Sequence, residues 1–324
     1  MLERPHWSGL KFRNNKIKNG YLALDRHENL DEIYRNQISN IITNNIDLNM
    51  ACQYIDYYDT YQAFANFYNI TTDNILITGG CDEAIRLSCE AILNKNNKLL
   101  HINPTYRGII YNSQDLTQFR IPTTTNKEHM EYHVKTISPA MFYICTPNNP
   151  LGEVIEADFI EYLLITYPNT VIFIDNAYSD FTDEKYDHLI KYQNVLIGKS
   201  FSKAWGLSGS RIGLLLGHKH LIEQITKIRP IMSVSSISLQ LIKYLLENNS
   251  IVQDTIKRNK EGIHYMIEFF KAYSEPTINA VTFSYSKEVD DILQKNKVLF
   301  DIDDQNITLT ALPKNQFIKL YNGL

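Results

Sequence analysis

Ser200-Phe201-Ser202-Lys203 sets a lysine beside two small hydroxyls, and Arg211 follows within Gly206-Leu207-Ser208-Gly209-Ser210-Arg211-Ile212-Gly213. A lysine amine condenses with an aldehyde once it is neutral, which requires desolvation or nearby cations. Hydroxyls and a guanidinium are suited to holding a phosphate. Upstream, the apolar run Val171-Ile172-Phe173-Ile174 ends in Asp175, and Tyr178 lies three residues on. A carboxylate closing a buried strand is costly unless it is paired. A protonated pyridine nitrogen would pair it, and that protonation turns the ring into an electron sink. Read together, these residues point to pyridoxal 5′-phosphate held covalently by Lys203. Each also has an ordinary reading: Lys203 on a surface loop, Asp175 as a helix N-cap, Tyr178 as one packed aromatic among 21 tyrosines.

Three further segments follow strand-like runs. Gly79-Gly80-Cys81-Asp82-Glu83 turns from a strand into a helix, where free backbone N–H groups and the helix dipole favour an anion. An ordinary strand-to-helix turn has the same sequence character. Cys81 at that helix start is a weaker candidate nucleophile, because no histidine lies near it in sequence. Thr146-Pro147-Asn148-Asn149-Pro150-Leu151-Gly152 reads as a rigid turn, in which the Asn149 amide can bond a ring oxygen. Asn103-Pro104-Thr105-Tyr106 offers Tyr106 as a face on which a pyridine ring stacks.

The elements that must carry these segments alternate. Strands are expected at 75–78, 99–102, 141–144, 171–174, 195–197 and 212–216, most of them apolar on consecutive residues, as strands buried on both faces are. Helices are expected at 82–93 and 156–166. This alternation predicts an α/β domain with a mostly parallel sheet and a ligand at the carboxyl ends of its strands. After about residue 235 the pattern changes. Helices at 238–247 and 253–273 precede short strand-like pieces at 280–285, 297–300, 307–310 and 317–320, a smaller α+β domain. The expected division is 1–40 as an N-terminal segment joining the small domain, 41–235 as the large domain and 236–324 as the small one.

At 324 residues the chain is long enough for a large core. A net charge of -4 with scattered basic residues argues against nucleic-acid binding. No run is long and apolar enough to span a membrane. The start, Met1-Leu2-Glu3-Arg4-Pro5-His6-Trp7, lacks a secretory h-region. Cys52, Cys81, Cys89 and Cys145 make no CxxC pair and read as reduced thiols of a cytoplasmic protein. Gly206, Gly209 and Gly213 do not form a dinucleotide fingerprint. His129 and His133 do not form HExxH and read as a solvated helix face, so no metal site is expected.

Six motifs in order — Gly-x-Asp-Glu, Pro-Thr-Tyr, Pro-Asn-Asn-Pro-x-Gly, Asp-x-Ala-Tyr, Ser-x-Ser-Lys and Arg-x-Gly — resemble the class I/II aminotransferases of pyridoxal-phosphate fold type I. Within them the chain is most similar to the histidinol-phosphate aminotransferase branch. Leu24-Asp25-Arg26-His27-Glu28-Asn29 is similar to that branch's N-terminal Asn-Glu-Asn-Pro signature, and Tyr54-Ile55-Asp56 to its Tyr-Pro-Asp/Glu segment. The resemblance implies that Lys203 holds the cofactor and moves a proton, that Asp175 pairs the pyridine nitrogen, and that Asn149 and Tyr178 contact the phenolic oxygen. It implies that Tyr106 stacks on the ring and that Gly80, Cys81, Asp82, Ser200, Ser202 and Arg211 surround the phosphate. Tyr54 would reach the cofactor of a neighbouring subunit, which implies a homodimer. Asn29, Arg107 and Asn149 are the implied substrate contacts.

Several positions depart from the family pattern. Thr308, in Ile307-Thr308-Leu309-Thr310, and Phe300 stand where the branch carries the two arginines that hold the substrate's acidic group. Neither side chain can make bidentate charge-assisted bonds. Arg107 is the candidate replacement, with a solvated surface arginine as the alternative. Leu30, Leu151 and Asn176 are milder departures. The expected activity is transfer of an amino group from an amino acid or histidinol-phosphate-like amine to a 2-oxo acid. A decarboxylase or lyase on the same fold and a pyridoxal-phosphate-binding non-enzyme remain as alternatives.

Overall fold

The computed structural model describes residues 17, 19–113, 116–122, 126–302 and 305–322. Met1 to Trp7, and most of the segment before residue 19, lie outside the described residues.

In chain order the elements are β1 (Leu22–Ala23), α1 (Glu32–Asn45), α2 (Tyr58–Tyr68), β2 (Ile75–Thr78), α3 (Cys81–Ile92), β3 (Lys98–Asn103), α4 (Arg107–Asn112), β4 (Thr117–Pro122), α5 (Lys127–Ile137), β5 (Met141–Cys145), α6 (Ala157–Thr166), β6 (Val171–Asp175), β7 (Val195–Ser200) and β8 (Gly213–Gly217). They continue as α7 (Lys219–Thr226), α8 (Ser236–Glu247), α9 (Ser250–Phe270), β9 (Ala280–Ser284), α10 (Lys287–Lys295), β10 (Val298–Leu299), β11 (Asp301–Ile302), β12 (Asn306–Thr310) and α11 (Lys314–Asn322). Among the described residues no helix is long and apolar enough to cross a membrane.

A seven-stranded sheet in the order β2-β8-β7-β6-β5-β3-β4 forms the centre. Of the described strands in this sheet, β8 alone is reversed, running antiparallel to both β2 and β7, so the sheet is mostly parallel, as the alternating pattern predicts. The consecutive apolar runs are explained by burial on both faces. Along β5, Phe142 and Ile144 join the core on one side, while Met141 and Tyr143 join the core on the other. Burying such a side chain stabilises the fold by about 1.5–3 kcal/mol. Edge strand β4 carries no strand signal in the sequence, because Thr117-Gln118-Phe119-Arg120-Ile121-Pro122 buries only Ile121 and has no apolar run.

The C-terminal part carries an antiparallel sheet β11-β12-β9, with Thr308 opposite Thr282. Strand β1 pairs in parallel with β10, Leu22 opposite Val298. Asp31 caps α1 through Ile33 and Tyr34 N–H groups and accepts from Arg258 Nε at 2.7 Å and Thr255 Oγ1 at 2.8 Å, both on α9. The strand expected at 317–320 is instead part of α11. Three apolar residues in four, Phe317, Ile318 and Leu320, do not distinguish strand from helix; Pro313 precedes the helix, and Phe317 turns inward onto the Tyr265, Phe269 and Phe270 rings of α9. The long helix expected at 253–273 is α9, ending where Lys271 adopts φ 50°.

Helix α9 can approach the turn before α11 because residue 262 is glycine. A Cβ there would lie 1.9 Å from the Leu312 carbonyl oxygen. Gly262→Ala is therefore expected to destabilise the chain by about 1–3 kcal/mol from overpacking, against the gain of roughly 1 kcal/mol that alanine brings to an unhindered helix. The urea midpoint of the cofactor-free chain measures this. An unchanged or higher midpoint contradicts the packing argument.

Candidate active site

The parallel strands and the reversed β8 bring their loops to one edge of the sheet. Asp175 closes β6, Cys145 closes β5 and Ser200 closes β7. The turn after β2 opens α3, and Arg211 precedes β8 at the same edge. A cavity there is lined by Cys81, Asp82, Tyr106, Cys145, Asn149, Asp175, Ala177, Tyr178, Ser200, Ser202, Lys203 and Arg211. The cavity is open to solvent, and together with its mouth it spans about 510 Å3.

Glycines let the start of α3 reach this edge. A Cβ on Gly213 would lie 2.5 Å from the Gly80 carbonyl carbon, and one on Gly198 would lie 2.7 Å from Cys81 Sγ. Gly80 caps α3 at φ 90°, a conformation open to glycine at little cost. Arg211 lies against Gly80, and its Nη2 is 3.1 Å from Asp82 Oδ2. Asp82 also accepts from the Tyr106 hydroxyl at 2.5 Å. The cationic end of the cavity thus combines a helix N-terminus, Arg211, Ser200 and Ser202.

Asp175 is 2% exposed. Its donors are neutral: Tyr143 Oη at 2.5 Å, Ala177 N–H at 3.2 Å and Cys81 Sγ at 3.5 Å. Burial pushes its carboxyl above the usual range, partly opposed by these bonds. The same burial, together with the Asp175 and Asp82 charges, pushes the Cys81 thiol well up. That disfavours the thiolate a nucleophilic cysteine needs.

Lys203 Nζ donates to the Arg26 carbonyl at 3.0 Å and sits 5.6 Å from the Tyr178 ring centre. Desolvation draws its amine down to about 8; Asp82, Glu28 and Asp175 oppose the shift and Arg211 adds to it. Tyr178 is buried. Its hydroxyl accepts from Asn149 Nδ2 at 3.3 Å and lies 2.8 Å from His27 Nδ1.

Tyr54, Asn29 and Arg107 lie outside the cavity lining. Tyr54 is 92% exposed. The Asn29 amide is spent within the fold: it donates to Ala204 O at 2.9 Å and Thr255 Oγ1 at 3.1 Å and accepts from Asp31 N. Arg107, exposed at the start of α4, shares with Lys203 and Arg26 an electrostatic pull on Asp301. Thr308 Oγ1 lies 2.9 Å from Thr282 Oγ1, and Phe300 is packed against the core.

Four residues of the site carry little signal of their own in the sequence. Tyr143 and Cys145 sit inside an apolar run that marks a strand and nothing more. Asn148 ties two loops, accepting from Thr105 Oγ1 at 3.0 Å and donating to Pro104 O at 3.1 Å. Its identity as one of two asparagines between prolines is the only sequence signal. His27 was visible only as part of a motif.

These residues fit pyridoxal 5′-phosphate. Lys203 offers an amine whose burial draws it down to about 8, Asp175 a buried carboxyl bonded among the described residues by neutral donors, and the start of α3 with Arg211 an anion cradle at the other end.

The sequence profile of the family "Aminotransferase class I and II" matches residues 18–279. The histidinol-phosphate aminotransferase of Campylobacter hominis is 31% identical over 258 residues, which cover 72% of this chain and 69% of that one. The enzyme of the same name from Sulfurovum sp. is 27% identical over 272 residues, 78% of this chain and 74% of that one. Two solved structures share the fold. The histidinol-phosphate aminotransferase from Sinorhizobium meliloti, in complex with pyridoxal 5′-phosphate, superposes with a TM-score of 0.81 at 17% identity, over 93% of this chain and 89% of that one. The L-threonine-O-3-phosphate decarboxylase from Porphyromonas gingivalis gives 0.79 at 18% identity, over 93% of this chain and 98% of that one. The chain belongs to the class I and II aminotransferases, as a pyridoxal-5′-phosphate-dependent transaminase of fold type I on the histidinol-phosphate aminotransferase branch.

Proposed function

We propose that Lys203 is the cofactor-bearing base of this transaminase, with Asp175 as the partner of the pyridine nitrogen. Asn149 and Tyr178 hold the phenolic oxygen, and Tyr106 covers the ring. Gly80, Cys81, Asp82, Ser200, Ser202 and Arg211 form the phosphate end. The single observation that carries this reading is the shared cavity: Lys203 and Asp175 line it together with the Arg211 end. When bound, the cofactor supplies an aldehyde for the amines and a ring that takes up the electron pair of a substrate Cα–H bond.

The protein's part is to hold and to move protons. Lys203 Nζ, neutral above about pH 8, accepts the proton from the substrate's Cα. Asp175 favours a protonated ring nitrogen, which keeps the ring electron-poor. Arg211 shares its charge between Asp82 and the phosphate. Amino donor and 2-oxo acid use the same site in turn.

The donor is an amine with an acidic group at its far end, and we assign recognition of that group to Arg107. The electrostatic link of Arg107 and Lys203 through Asp301 supports this. With Thr308 and Phe300 at the usual arginine positions, histidinol phosphate itself is expected to be a weak donor. The fold shared with a decarboxylase, and the neutral Thr282–Thr308 pair, keep carboxylate loss as the second reading. A homodimer is part of the proposal, supported by the exposure of Tyr54 and of Ile231, 85% exposed. Four unpaired cysteines, three buried, support a reducing cytoplasm. The β1–β10 pairing supports 1–40 joining 236–324 beside a unit of 41–235.

Covalent capture of pyridoxal 5′-phosphate by the cofactor-free chain is expected to speed up as pH rises, with a midpoint near 8, because the neutral amine is the nucleophile. Visible absorbance follows it. A rate flat between pH 6.5 and 9.5, or unchanged in Lys203→Ala, contradicts the assignment. In a donor screen read by loss of that absorbance without release of CO2, Arg107→Ala is expected to lower kcat/KM for anionic donors ~10-fold or more, the worth of one charge-assisted bond. An unchanged kcat/KM removes Arg107 from the site. Histidinol phosphate turnover at ordinary enzyme rates, about 1–1,000 per second, contradicts the reading of Thr308 and Phe300.

A further inference from the structure

His27 lies between the small β-sheet and the catalytic cavity and has no part in the mechanism above. It is 6% exposed. Three contacts fix it. Its backbone N–H donates to Thr310 Oγ1 at 2.8 Å, its carbonyl accepts from Asn279 Nδ2 at 2.8 Å, and its Nδ1 lies 2.8 Å from the Tyr178 hydroxyl. Its φ of 52° is left-handed, a conformation uncommon for a residue with a side chain. The backbone is thus held in a costly shape that aims an imidazole at Tyr178 across 151 residues of chain.

A tyrosine hydroxyl has one proton and two lone pairs. Asn149 Nδ2 fills one lone pair of Tyr178 at 3.3 Å. A neutral imidazole carries one proton, on either nitrogen. With the proton on Nε2, Nδ1 is an acceptor and takes the Tyr178 proton. With the proton on Nδ1, His27 donates into the second lone pair, and the Tyr178 proton is left for an acceptor in the cavity. Burial and the Lys203 charge hold the ring neutral, its imidazole pulled down to about 3. The charged and titratable groups around the pair are Lys203 on the side of both rings, and Asp175 and Cys145 facing Tyr178.

We propose that His27 is a positioning residue: through Nδ1–H it holds Tyr178 with its hydroxyl proton directed into the cavity, at the cofactor's phenolic oxygen. The proposal rests on the reading of Tyr178 given above and adds a second layer to it. A proton donated to that oxygen favours its anionic form, so the pair lowers the pH at which the lysine-bound cofactor loses its proton. Without Nδ1–H, Tyr178 is free to turn and the midpoint rises.

The test is a spectroscopic pH titration of the loaded enzyme. His27→Leu removes the donor. His27→Asn keeps an N–H at similar reach, and asparagine tolerates left-handed φ. Each is made with Tyr178 and with Tyr178→Phe. The expected results are a midpoint raised by about 0.5–1 unit in His27→Leu, restoration toward the parent in His27→Asn, and no effect of either change beside Phe at 178. A midpoint unmoved in His27→Leu, or moved equally beside Phe at 178, overturns the proposal. If Tyr178→Phe alone leaves the midpoint unchanged, the reading of Tyr178 falls instead. Imidazole 15N spectra of the parent holoenzyme, with His27 identified by its loss in His27→Asn, give a check that needs no folded leucine variant. A protonated Nδ1 is expected, and a protonated Nε2 overturns the proposal.

Discussion

The site depends on a carboxyl group that the fold buries without a cationic side chain bonded to it. Asp175 ends a strand with buried strands on both sides, and among the described residues Tyr143, Ala177 and Cys81 donate to it. An ionised carboxylate in such a place is unfavourable until an opposite charge arrives. On the proposed reading, a protonated ring nitrogen would remove this cost. Cofactor binding and charge satisfaction would then be one event, and the chemistry would follow from the electron demand that the pairing creates.

The rest of the architecture holds other groups at fixed places around that carboxyl. Strand β8, reversed relative to its neighbours, brings Arg211 to the same edge as the ends of the parallel strands. Gly198 and Gly213 remove the side chains that would keep α3 away. Lys203 follows β7 with its amine partly stripped of water. The N-terminal segment closes the other side: Arg26 accepts from Lys203, and His27 reaches Tyr178. Residues far apart in sequence therefore meet around one small volume.

Much of this was legible in the sequence because two signals reinforce each other. Runs such as Met141-Phe142-Tyr143-Ile144 stay apolar on consecutive residues, as strands buried on both faces do, and the chemical residues follow directly where such runs stop. Asp175, Ser200, Tyr106 and Asn149 could be placed that way. What was not legible depends on contacts between distant segments. The Tyr143 hydroxyl looks apolar in context until Asp175 is seen beside it. His27 gains meaning only from Thr310, Asn279 and Tyr178. Residues 317–320 read as a strand because Phe317, Ile318 and Leu320, broken only by Lys319, are too few to show a period; the rings of α9 decide that they form a helix. Edge strand β4, half polar, has no run to read. Asn29, matched to a substrate-binding motif, spends its amide on Ala204, Thr255 and Asp31.

The most direct measurement of the central claim is reductive trapping. Pyridoxal 5′-phosphate is added to the purified chain, the linkage is fixed with borohydride, and the protein is digested and mapped by mass spectrometry. The account predicts one modified lysine, Lys203, and loss of that modification when Asp175 is replaced by alanine at limiting cofactor. A label spread over other lysines, or undiminished without the carboxylate, would contradict it.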